Sequence, residues 1–178
     1  MIGKRAFVPP IQRVDDDADD GDGARFRFHL DEEELALVVR LLGELKELLT
    51  SEVDERTAPL LHRLFPPAFH DDPDKEAEYQ RLMREELVTS RVAAVDEITA
   101  LLTGDGAASV VAGATLSEGE TMAFMRSLNA IRLILGTMLD ITDEESAEVA
   151  DMNDSPEHSL YAYLGWLLEW TVRALGGV

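Results

Sequence analysis

The chain has 178 residues, 46% of them hydrophobic and 29% charged, with a formal net charge of −20 and no cysteine. That length and composition suit one globular domain with a sizeable core, and the absence of cysteine excludes disulfides, thiol chemistry and cysteine-based zinc sites. Sequence-specific DNA binding and anionic membranes are disfavoured, because both need a Lys/Arg surface, whereas basic protein partners are favoured by long-range attraction.

The first thirty residues differ from the rest. Phe26, Phe28 and Leu30 alternate with Arg25, Arg27 and His29, the period of a half-buried strand. An earlier segment, Arg5 to Val14, carries Pro9 and Pro10, which suit an edge strand. Together they predict a small N-terminal β-hairpin over residues 1–30, docked by its Phe face, with an acidic flexible tip at 15–23.

Helices are expected from residue 31 onward. Asp31 with Glu34 forms a capping-box pattern, followed by an apolar stripe at Leu35, Val38, Leu42, Leu45 and Leu49. A short helix, Thr57 to Phe65, stops at Pro66-Pro67. Asp72 and Pro73 mark the cap and first position of a long helix carrying Tyr79, Met83, Leu87, Ala94, Ile98 and Leu101 and ending near Gly104. Ser117 and Glu120 form a second capping box before the most apolar segment, Thr121 to Leu139. A brief helix is expected from Thr142 through Ala150, and Ser155-Pro156 opens the last, which ends at Gly176-Gly177. The predicted architecture is a mainly α single domain over 1–178, a bundle of four main helices and one or two short ones.

No catalytic arrangement is visible. The Asp-rich loop fails the calcium-loop pattern: counted from Asp15, position 6 is Asp20 rather than Gly and position 12 is Phe26 rather than Glu. His29, His62, His70 and His158 are scattered; His70 with Asp71, Asp72 and Asp74 offers metal-ligand chemistry, but Asp72 is better explained as a cap. Phosphate-loop and nucleophile-elbow motifs are missing. The expectation is a non-enzymatic protein without cofactor or metal.

Two polar or aromatic groupings remain. Arg126, Asn129 and Arg132 interrupt the most apolar helix, where a charge needs a partner. One reading is an Arg–carboxylate pair that fixes helix register; the other is a site for an anion or a partner carboxylate. Tyr163, Trp166 and Trp170 share a stripe of the last helix, either as core or as an interface for a partner or a second copy.

Three segments carry a resemblance: Leu64-Phe-Pro-Pro-Ala-Phe69 with Asp71-Asp-Pro-Asp74 and Glu78-Tyr-Gln-Arg-Leu-Met83, then Leu128 to Leu139 with the following Ile-Thr-Asp-Glu-Glu, then Tyr161 to Leu167. They resemble a family of small actinobacterial proteins, classed as a domain of unknown function, that includes the oxidative-stress transcriptional regulator AosR. The resemblance implies a cytoplasmic protein that modulates transcription by contacting a sigma factor or RNA polymerase. A gene neighbourhood shared with a proteolytic adaptor makes an accessory role in regulated proteolysis the alternative, and a small-molecule anion sensor is a third. The family's Cys-x-x-x-Cys redox switch has no counterpart in this cysteine-free chain.

Overall fold

The computed structural model describes residues 7–14, 23–103, 110, 113, 115–141 and 155–177. Residues 15–22 of the acidic tip expected at 15–23, and the brief helix expected from Thr142 to Ala150, lie outside the described residues. Strands β1 (Ile11–Val14) and β2 (Arg25–Phe28) pair antiparallel, with Ile11 opposite Phe28 and Arg13 opposite Phe26. A third strand, β3 (Thr115–Ser117), adds antiparallel to the far side of β2, placing Leu116 opposite Phe26. The expected hairpin is therefore two-thirds of a three-stranded sheet, ordered β1-β2-β3. Side chains alternate across a strand, so Ile11, Phe26, Phe28 and Leu116 all enter the core.

Among the described residues, five helices make up most of the remainder: α1 (Glu32–Thr50), α2 (Thr57–Leu64), α3 (Pro73–Leu102), α4 (Glu118–Met138) and α5 (Pro156–Gly176). Their starts follow the capping chemistry of the sequence. Asp31 accepts from the Glu34 amide at 2.9 Å while Glu34 accepts from the Asp31 amide at 3.0 Å, satisfying two helix-end donors at once. Ser117 and Glu120 repeat the arrangement at α4. Because Ser117 both ends β3 and caps α4, no loop separates the sheet from the helix. Asp72 and Ser155 cap α3 and α5, each with proline at the first helical position.

Helix α4 is the axis of the bundle, packed against α1, α2, α3, α5 and the sheet. Its Phe124, Leu128 and Ile131 meet the buried stripe of α1 (Leu35, Val38, Leu42, Leu45 and Leu49) within one continuous apolar core. Full burial of each such side chain contributes about 1.5–3 kcal/mol. The buried hydroxyls of Thr121, Ser127 and Thr171 donate to Ser117, Ala123 and Leu167 carbonyls four residues back, so none is stranded.

Helix α3 departs from the even stripe that its sequence suggests. Its buried residues are Val95, Ile98 and Leu102, all in its last third. The first α3 side chain packed against the core is Leu87, which leaves residues 73–86 outside it. At 1.5 Å per residue this overhang is about 21 Å long.

Candidate functional site

Two surfaces and one cleft combine exposure with unusual chemistry. The first surface is the α3 overhang. Leu82 is 57% exposed, and Phe69, 43% exposed, packs edge-on against Tyr79 with centroids 6.1 Å apart. Charged residues surround this apolar ridge, among them Glu78, Arg81, Glu85 and Glu86.

Glu76 fixes the base of the overhang. Its carboxylate accepts from the Ala68 and Phe69 amides at 2.9 and 2.8 Å and from the Gln80 side chain at 2.6 Å, folding the segment before the helix back onto its first turn. The Phe69 amide, then Gln80, hold the Glu76 carboxyl below the usual glutamate range. A lowered folded-state value means the clamp is fully formed above the unfolded value and is lost as pH falls through the folded one. The Ala68 and Phe69 amide resonances should therefore titrate together with a midpoint below about 4.3, the ordinary glutamate value, and Glu76→Gln should abolish that titration. A midpoint at or above the ordinary value would refute the clamp.

The second surface is the outer stripe of α5. Tyr163, Trp166 and Trp170 do not form the helix's core face, which consists of Tyr161, Leu164, Leu167, Thr171 and Ala174. Trp166 is 37% exposed and lies 5.9 Å from the Tyr163 ring. Trp170 meets Phe7 at 5.4 Å and lies under the Arg173 guanidinium at 5.3 Å. Tyr163 donates its hydroxyl to Glu34 at 3.1 Å, tying α5 to the cap of α1. Burial, then the Glu34 charge, raise the Tyr163 phenol above its ordinary value, so it remains a donor.

The polar residues of α4 separate into two places. Arg132 lies between α4 and α5, with its guanidinium 4.2 Å from the Tyr161 ring centroid. Its Nε is buried without a hydrogen-bond partner, and a Cβ added to Gly165 would come within 3.2 Å of that atom. Among the described residues no carboxylate pairs with Arg132, so the register-fixing ion pair is not found there; its guanidinium rests on an aromatic face, and it does not line the cleft that holds the other two. Cation–π contact with a partly desolvated ring contributes roughly 0.5–2 kcal/mol.

Arg126 and Asn129 are exposed and line a cleft of about 290 Å³ between α1, α3 and α4. Arg91 of α3, which sequence reasoning missed, lines the same cleft. Arg91 is half-buried, donates to the Leu64 carbonyl at 3.3 Å and stacks 5.0 Å over the Phe65 ring. Burial pulls its pKa below the usual arginine value, but a guanidinium stays charged at any physiological pH. Its spacing was a usable signal, since Leu87, Arg91, Ala94 and Ile98 recur at 4, 3 and 4, placing a charge on an apolar stripe. Among the described residues, no three His, Asp or Glu converge as a metal-holding group, and no helix is long and apolar enough to cross a membrane.

The fold defines a mainly helical, strongly acidic protein with exposed apolar ridges on α3 and α5. The chain belongs to the family described as Domain of unknown function (DUF2017), whose model matches residues 12–175. No curated protein and no solved structure matches it.

Proposed function

We propose that this protein is a non-enzymatic cytoplasmic regulator that works by gripping a protein partner, and that it modulates transcription through a sigma factor or RNA polymerase. The observation that carries this reading is the α3 overhang, an ordered helix with an apolar ridge that the protein's own core leaves uncovered. A helix normally owes most of its stability to packing of its apolar face, so a ridge that the core of the described residues leaves outside it suits docking to another protein. The charge of −20 favours a basic partner segment and disfavours direct contact with DNA. The resemblance of the Leu64–Phe69, Leu128–Leu139 and Tyr161–Leu167 segments to the actinobacterial family that includes AosR supports transcription as the process. With no cysteine, the trigger in this member is not a thiol switch.

The test uses the purified full chain with its host's RNA polymerase core and individual sigma factors, followed by surface-based binding kinetics. The expected result is saturable binding to one of them, with an association rate that falls as salt rises. Absence of binding to every polymerase and sigma component would overturn the reading. Binding to the components of a regulated protease instead would replace it with the adaptor role.

A further inference from the structure

The cleft between α1, α3 and α4 has a composition at odds with the rest of the chain. Acidic residues outnumber Lys and Arg by 36 to 16, yet the residues lining this cleft include two arginines and no Asp or Glu. Several other cations are matched locally: Lys46 pairs with Asp96, Lys75 with Asp72 and Arg173 with Glu169, whereas Arg132 rests on an aromatic ring. Among the described residues, neither Arg91 nor Arg126 makes an ion pair. Two arginines without an ion-pair partner among the described residues line one opening in a chain with such an excess of carboxylates, which favours an anion there over a cation.

Arg91 is also held in place before any ligand arrives. The Phe65 ring supports its guanidinium face and the Leu64 carbonyl takes one of its donors, leaving further N–H groups available. A side chain ordered in advance loses little freedom on binding. Ser90 and Asn129 add uncharged hydrogen-bonding groups, while Leu45 and Val95 supply an apolar floor. The volume of about 290 Å³ is at the small end of ligand sites.

We propose that this cleft binds a small organic carboxylate, with its anionic head between Arg91 and Arg126 and a short apolar body on the Leu45–Val95 floor. Guanidinium–carboxylate pairing provides charge-assisted hydrogen bonds, and the apolar floor selects against fully hydrated inorganic anions. The site is separate from the α3 ridge at residues 73–86, so its existence does not depend on the identity of any protein partner.

The test is an NMR titration of the full-length protein with hexanoate, benzoate and inorganic phosphate. The organic carboxylates should give saturable shifts in residues 90–95 and 126–130, and phosphate should bind markedly more weakly. Arg126→Gln should weaken carboxylate binding by about tenfold or more while leaving the spectrum folded, because Arg126 is exposed. Arg40→Gln, an exposed arginine paired with Glu44 outside the cleft, should leave it unchanged. No saturable shift by about 20 mM ligand would overturn the proposal, as would affinity unchanged in Arg126→Gln. Phosphate binding as tightly as hexanoate would overturn its organic-acid part.

Discussion

Phe124→Ala should destabilise the protein by about 3–5 kcal/mol, the largest loss expected from any single truncation considered. Phe124 is fully buried on the central helix and meets the fully buried Phe28 edge-on, with centroids 5.0 Å apart. Phe28 lies on the middle strand, so this contact joins the sheet to the bundle axis. Truncation removes the transfer free energy of a ring and leaves a cavity that the shared Ser117 hinders from collapsing, since β3 runs directly into α4. For a domain of this size the loss corresponds to a fall of roughly 6–20 °C in Tm. Urea denaturation measures it directly. A loss below about 1 kcal/mol would mean that the ring pair does not anchor the sheet. A double-mutant cycle with Phe28→Leu and Phe124→Leu should show a coupling of about 0.5–1.5 kcal/mol beyond the two single losses.

The opposite profile is expected on the overhang. Tyr79→Ser with Leu82→Ser should abolish partner binding while changing unfolding free energy by no more than about 2 kcal/mol, of which about 0.5–1.5 kcal/mol is the lost Tyr79–Phe69 ring contact. Neither residue is buried, and neither packs against the core. Surface substitutions away from special features usually fall within about 0.5 kcal/mol, and serine adds only a small helix-propensity cost. An apolar anchor at the centre of an interface, by contrast, contributes about 2 kcal/mol or more to binding, a loss exceeding tenfold. Serine leaves the net charge unchanged, so long-range attraction to a basic partner is preserved. Unaltered affinity for the polymerase or sigma component in the double variant would remove α3 from the interface; a large fall in Tm would show that the ridge belongs to the fold.

Much of the fold was legible because local chemistry and tertiary structure agree. Both capping boxes form with the predicted residues, and the α1 stripe from Leu35 to Leu49 is buried as its spacing requires. Strand β3 was invisible since three residues are too few to display alternation, and Ser117 reads more strongly as a cap. The last helix left core and interface both open, for a different reason. Its two tryptophans are the bulkiest side chains available, yet the inner face goes to Tyr161, which fits against Gly136. A Cβ at Gly136 would lie 3.1 Å from the Tyr161 ring, so this close approach between α4 and α5 depends on a glycine whose role no single-helix pattern reveals. Likewise, periodicity marks Tyr79, Met83 and Leu87 as one stripe but does not say whether anything covers it. The Arg91–Arg126 cleft depends on α1, α3 and α4 meeting, which no pattern within a single helix displays.

The strand order has a consequence for synthesis. The β1–β2 pair is local, but Phe28 finds its ring partner only when residue 124 has been made, and Phe26 finds Leu116 only slightly earlier. At about 5–20 residues per second, that separation corresponds to roughly 5–20 s of ribosome time. Through that interval the nascent chain presents a Phe-bearing hairpin face without its partners on β3 and α4. The hairpin should therefore be a transient chaperone target on the ribosome, and sheet completion should be among the last folding events, because closing so long a loop precedes any reward from the contact.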